Sequence, residues 1–337
     1  MTPRLLGLAT RRATRVAVVA AAALVLAGGC SRGRGPDAPF RLGYFPNVTH
    51  AQALVGVDDG TFARALPARL ETRMFNAGPA AMEALLAGDL DASYVGPGPA
   101  AIAFLRTQGQ ALRVLAGATS GGAALVVKDA RVPADLAGKR VASPQLGNTQ
   151  DVALRMWLRK VGLHDARGQG TVEVTPLANP DILALFARGD LAGAWVPEPW
   201  ASRLVAEAGG RILVDERTLW PEGRFPTTLL VVSARALERR RPEVLALVRA
   251  HLELTRRWEQ DRAGFARLAN AAYGARTGKP LREAVLRDAF SRVAPTVDPL
   301  KAQLERMARD AQALGFAPKG ELSGMVDATM LQEIAHR

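Results

Sequence analysis

PAAMEALLAGDLDASYV (79–95) and PDILALFARGDLAGAWV (180–196) repeat one pattern at a constant offset of 101 residues, with Pro79 matching Pro180, Gly88 matching Gly189 and Val95 matching Val196. Proline favours the first turn of a helix and glycine its end, so each copy reads as a helix. A short apolar strand follows, holding Tyr94-Val95 or Trp195-Val196. A further apolar strand precedes each helix, at 70–75 and 172–175, and completes a βαβ unit in each half. That alternation predicts parallel-rich sheets with helices on their faces, hence two similar α/β lobes.

Working outward, 41–44 reads as a first strand and 112–118 as a later one in the first lobe. Residues 124–127 are expected to cross to the second lobe, which runs from a strand at 140–143 to another at 211–215. Residues 228–233 read as the return crossing. From Pro242 the pattern turns helical: Leu245, Val248, Leu252 and Thr255 share a face, with helices near 281–292, 299–314 and 321–334. These are expected to buttress the first lobe. The division is therefore 40–127 with 228–337 as lobe 1 and its C-terminal helices, and 128–227 as lobe 2.

The first thirty residues carry a different signal. Arg4, Arg11, Arg12 and Arg15 precede an apolar run over 16–26, followed by Ala27, Gly28, Gly29 and Cys30. At about 1.5 Å per residue such a helix falls far short of a ~30 Å hydrocarbon core. It reads as a signal peptide over 1–29. Small residues before a cysteine resemble the bacterial lipoprotein signal, which would make Cys30 the lipidated first residue and 30–39, rich in Gly, Arg and Pro, a flexible tether to the membrane. A plain secretory signal cut near Gly29 is the alternative. Cys30 is the single cysteine, so neither an intrachain disulfide nor a cysteine metal cage can form.

The net charge of +12 comes from arginines spread along the chain, and aromatics are 5%. Nucleic-acid binders concentrate basic charge or interleave it with stacking rings, so no nucleic-acid partner is expected. His50, His164, His251 and His336 are scattered, and H-E-x-x-H, G-x-S-x-G and phosphate-loop patterns are missing. The chain therefore reads as a non-enzyme, with no catalytic residue, metal or cofactor.

In open α/β sheets ligands bind beyond the carboxyl ends of strands. Several loops of that kind occur: 45–50, 76–79, 96–99, 120–122, 143–151 and 197–200. Asn148 is a good N-cap with Asp151 three residues on, a variant of the capping box, ahead of a helix whose apolar face includes Val152, Ala153, Met156, Trp157 and Val161. The N–H groups of Thr149 and Gln150 and the Thr149 hydroxyl either bind an anion or simply open the helix.

GYFPNVTHAQAL (43–54), FNAGPAAMEALLAGDLDASYVGPGPA (75–100), SPQLGNTQDVALR (143–155) and GAWVPEPWA (193–201) resemble the solute-binding proteins of ABC importers for aliphatic sulfonates, taurine, nitrate and related solutes. The likeness runs from about residue 40 to 333. It is specific for the family and not for the ligand. It implies a two-lobed periplasmic-binding-protein-like fold (type II), a small anionic solute closed between the lobes, an ABC permease with its ATPase subunits as partners, and an extracytoplasmic location. The anion-binding candidates it implies are Asn47, His50, Gly78, Gly98, Ser120, Gly121, Asn148 and Thr149. Trp195 and Trp200 either line the cleft or pack. Glu198, fixed between two prolines after a strand, either attracts an ammonium on the ligand or pairs with an arginine across the lobes. A receptor for a thiamine-related pyrimidine, nitrate or bicarbonate is the alternative. A pyrimidine-synthesising enzyme of this fold would need a cytosolic chain, and a lipoprotein sensor without transport is a further class.

Overall fold

The computed structural model describes residues 38–165 and 171–335. The expected signal peptide, Cys30 and all but the last two residues of the tether lie outside them. So does His336.

Among the described residues eleven strands form two sheets: β1 (Phe40–Tyr44), β2 (Leu70–Met74), β3 (Ala92–Val95), β4 (Leu112–Gly121), β10 (Pro226–Ser233) and β11 (Val293–Pro295) in one, and β5 (Ala123–Val127), β6 (Lys139–Ser143), β7 (Val172–Pro176), β8 (Gly193–Pro197) and β9 (Arg211–Asp215) in the other. Their orders are β11-β4-β10-β3-β1-β2 and β7-β6-β8-β5-β9. In each, three strands are parallel in a βαβ core, and the next is antiparallel to it. The repeat is visible in the register: Ala92 sits beside Leu42 in the first sheet as Gly193 sits beside Val141 in the second.

The antiparallel strand of each sheet is the first one laid down after the chain changes sheets. The chain leaves β4 and enters β5 at Gly121 and Gly122, both with positive φ, a conformation glycine alone adopts without strain. The strand expected to cross, 124–127, thus lies wholly in the second sheet, and 228–233 lies wholly in the first.

Each sheet is covered on both faces, which is why its central strands are nearly continuous apolar runs. In β10, Leu229 and Val231 face one core while Leu230 and Val232 face the other. In β5, Ala124 and Val126 alternate with Leu125 and Val127 in the same way. The C-terminal helices Arg241–Gln260 and Arg262–Thr277 fill one face of the first sheet, and Lys301–Ala313 packs on the other.

Three local expectations need correcting. The Arg241–Gln260 helix buries Val244, Leu247, Val248, His251, Leu254, Thr255 and Trp258, so its inner stripe is rotated from the expected face, and Leu245 and Leu252 lie at its edge. The rotation places His251 where Tyr94 Oη and the Gly117 carbonyl meet it, at 2.9 and 2.8 Å. The Thr149–Lys160 helix buries Leu154 and Leu158 with Val152 and Trp157, whereas Ala153 and Met156 are half-buried. The helix expected over 321–334 is only Thr329–Ala335. Gly324 adopts positive φ, and the Val114 N–H and C=O pair with Met325 and Asp327, which holds this stretch along a strand rather than in a helix.

Candidate functional site

The carboxyl ends of the six parallel strands supply one pocket. Phe45, Asn47, Thr49 and His50 follow β1; Asn76, Ala77 and Gly78 follow β2; Gly96 and Pro99 follow β3. From the other sheet come Pro144, Asn148, Thr149 and Gln150 after β6, Asn179 after β7, and Pro197 at the end of β8, with Thr227 of β10 completing the wall. No Asp, Glu, Lys or Arg is among these lining residues.

Four helices begin on the pocket: Gly78–Leu86, Pro97–Arg106, Thr149–Lys160 and Asn179–Arg188. Three of them have no side-chain cap. In the Gly78–Leu86 and Asn179–Arg188 helices the first-turn N–H groups lack an intrahelical partner, whereas the Pro97–Arg106 helix adds only its dipole, because Pro97 and Pro99 carry no N–H and the Gly98 N–H goes to Thr149. The partial positive charge of the helix starts lets the pocket favour an anion with no cationic side chain among its lining residues. The fourth is capped by Asn148, whose Oδ1 accepts from the Asp151 N–H at 2.8 Å. Asp151 does not reach back to the Asn148 N–H as a capping box would. Its carboxylate accepts from the Gly147 N–H at 2.9 Å and the Ser143 hydroxyl at 2.7 Å, tying the loop shut.

Contacts between the two sheets' loops close the pocket. The Gly98 N–H donates to Thr149 Oγ1 at 3.1 Å, and Trp200 Nε1–H donates to Asn47 Oδ1 at 2.9 Å. Glycine is needed where the loops touch, since a Cβ on Gly96 would lie 2.5 Å from Thr149 Oγ1. His50 stacks near Phe45, and its Nδ1 accepts from the Phe45 N–H at 3.3 Å. Burial lowers its pKa to about 3. The ring is therefore neutral with its proton on Nε2, a donor rather than a cation.

Of the residues singled out from sequence, Asn47, His50, Gly78, Asn148 and Thr149 line the pocket. Gly98 touches Thr149 just behind its wall. Ser120, Gly121 and Glu198 are not brought there. The Ser120 hydroxyl accepts from the Phe225 N–H at the change of sheet, and Gly121 makes the turn itself. Glu198 is fully buried: Oε1 accepts from Arg292 Nη1 at 3.0 Å and Oε2 from the Ser202 N–H at 3.0 Å. Burial raises its pKa, opposed by Arg292. Its carboxylate is thus committed to an arginine of the C-terminal region, the second of the two roles considered for it. Trp195 packs in the second core and donates to Glu216 Oε2 at 2.7 Å.

A family model described as the NMT1-like family matches residues 33–272. The chain belongs to the NMT1-like family. This NMT1-like chain is 32% identical over 197 residues to the taurine-binding periplasmic protein of Escherichia coli (strain K12), a match covering 57% of the chain and 58% of that relative. The chain thus spans under two thirds of the length of that curated relative. Among solved structures it resembles the alkanesulfonate-binding protein from Xanthomonas axonopodis pv. citri bound to MOPS, with a TM-score of 0.71, 23% identity, and 86% of this chain and 98% of that chain covered. It also resembles the periplasmic nitrate-binding protein from Synechocystis PCC 6803, with a TM-score of 0.75, 14% identity and 88% of each chain covered. These two likenesses establish the two-lobed binding-protein fold of the NMT1-like chain.

Sequence reading of the NMT1-like chain pointed to Gln150 through its N–H and missed Asn179 and Thr227 in the pocket wall. For Asn179 the signal was present: moving Gly78 by the repeat offset of 101 lands on it. Thr227 had none, because β10 reaches the pocket only through the exchange of strands between sheets.

Proposed function

We propose that this chain is the extracytoplasmic receptor of an ABC importer and captures a small anionic solute, an aliphatic sulfonate or taurine, between its two sheets. The observation that carries the reading is the convergence of four helix starts on a closed pocket without charged side chains. Fixed N–H dipoles hold a monoanion at low reorganisation cost and release it without breaking an ion pair. The taurine-binding relative supports a sulfonate as the anionic group. We take the lobes to be 39–121 with 226–335 and 123–220, so that the paired turns at the change of sheet act as the hinge. A binding role without catalysis, delivery to a permease and its ATPase subunits, and tethering by a lipid on Cys30 complete the reading.

A melting-temperature screen of the purified protein against alkanesulfonates, taurine, nitrate, bicarbonate and pyrimidines tests it. A ligand at about 100 times its dissociation constant stabilises by about 2.7 kcal/mol. Thr149→Ala is expected to weaken sulfonate binding by about 1.5–3 kcal/mol, the range for a hydrogen bond to a charged group. Melting curves that stay flat with every anion sink the reading. The anchor is tested separately: Cys30→Ser releases the protein from membrane fractions and abolishes acyl labelling, whereas continued labelling rejects that cysteine as the lipid site.

A further inference from the structure

Asn179 is a pocket residue whose side-chain oxygen the fold leaves unanswered. It is 5% exposed, opens the Asn179–Arg188 helix and lines the pocket, yet its Oδ1 has no hydrogen-bond partner among the described residues. Native folds keep few buried polar atoms in that state, because each forfeits the hydrogen bond it had with water. The neighbouring amides differ: Asn47 Oδ1 is taken by Trp200 and Asn148 Oδ1 by the Asp151 N–H.

The helix starts around the wall offer donors. Helix-start N–H groups and the neutral His50 Nε2–H suit the oxygens of an anion, but an amide oxygen gains nothing from a sulfonate. It requires a proton on the ligand. Glu198, the carboxylate that position alone would nominate for such a proton, is spent on Arg292. The repeat adds a second reason to look at this point. The matching residue of the first copy is Gly78, where a Cβ would lie 2.4 Å from Pro99 Cγ, so packing fills that side, and of the two matched positions only 179 carries an amide.

We propose that Asn179 is a specificity-determining residue whose side-chain amide accepts a hydrogen bond from a donor carried beside the solute's anionic group. The ligand class is then a small amino-sulfonate rather than a plain alkanesulfonate or an inorganic anion. This rests on the receptor reading above and narrows it.

Calorimetry with taurine and ethanesulfonate tests the inference, since both carry a sulfonate on two carbons and only taurine carries the ammonium. Wild-type protein is expected to bind taurine about tenfold or more tightly than ethanesulfonate, the equivalent of one hydrogen bond to a charged group. Asn179→Leu erases that preference by weakening taurine alone. The ligand-free melting temperature of that variant does not fall, because the substitution removes an unpaired polar group. Asn179→Asp, which keeps the shape and adds charge, is the second variant: it retains taurine and weakens ethanesulfonate. Equal wild-type affinity for the two ligands, or equal losses in both variants, overturns the role of Asn179 and leaves the receptor reading standing. Failure of the wild type to bind either sulfonate overturns both.

Discussion

Arg292→Ala is expected to destabilise the protein by about 3–5 kcal/mol at neutral pH, the cost of leaving a buried charge without its partner. Arg292 Nη1 donates to Glu198 Oε1, to Ser202 Oγ and to the Asp288 carbonyl, each at 3.0 Å. Glu198 follows β8 of the second sheet, and Arg292 precedes β11 of the first, so the pair is a tie between the two halves of the molecule. Burial already raises the Glu198 pKa against the pull of Arg292. Without the arginine, only the Ser202 hydrogen bonds oppose burial, and the pKa climbs further. A raised folded-state pKa stabilises the protein below the unfolded value and loses that stabilisation as the pH rises through the folded one. The deficit of Arg292→Ala is therefore largest at neutral pH and smallest under the unfolded-state value of 4.5. Urea denaturation at both pH values measures it. The double replacement Glu198→Gln with Arg292→Met costs less than Arg292→Ala alone, because no buried charge is stranded. A deficit under about 1 kcal/mol, or one independent of pH, would show that the pair contributes nothing to the tie.

Acidification from pH 6.5 to 4 is expected to remove about 3 kcal/mol of stability through His251 alone, at about 1.4 kcal/mol per pH unit. His251 is fully buried in the first core. Its Nε2–H donates to the Gly117 carbonyl, so Nδ1 is the acceptor for the Tyr94 hydroxyl, and a second ring proton would face that O–H. Burial lowers its pKa to about 4, partly opposed by the Gly117 hydrogen bond. For a depressed histidine the unfolded chain takes the proton first, so stability is complete above 6.5 and is lost as the pH falls toward 4. His50, lowered to about 3, adds a loss in the same direction that continues to lower pH. Glu216 works the other way. Burial raises it to about 7, so its contribution is present below 4.5 and is lost as the pH rises toward 7. The comparison that isolates His251 is His251→Gln, which keeps an amide for Tyr94 and Gly117 while removing the titration. Its stability is expected to be flatter than wild type over this window by about 3 kcal/mol, whatever its value at pH 7. Parallel stability curves would exclude His251 as the source.

In both sheets and their helices, much was legible at a distance of a few residues. Proline at the helix starts, glycine at the ends and alternating apolar runs locate the Gly78–Leu86 and Asn179–Arg188 helices and the strands after them, because those signals act over one turn or one pleat. The Asn148 cap is of the same kind, and it forms as expected. The stretch before Thr329 escaped because its backbone pairs with Val114, more than 200 positions away, a partner no local window contains.

The pocket divides along the same line. Sequence by itself determined two related βαβ units, the loops at their carboxyl ends and five of the pocket's residues, since strand direction and helix starts are local properties that the repeat states twice. Tertiary structure alone decided which side chains those loops present. The exchange of β5 and β10 between sheets brings Thr227 to the wall. Arg292, 94 residues from Glu198, takes the carboxylate away from it. Asn179 Oδ1 stays unpaired because none of the described residues offers it a donor. Whether a buried polar atom is answered depends on every residue that packs around it, and those come from both halves of the chain.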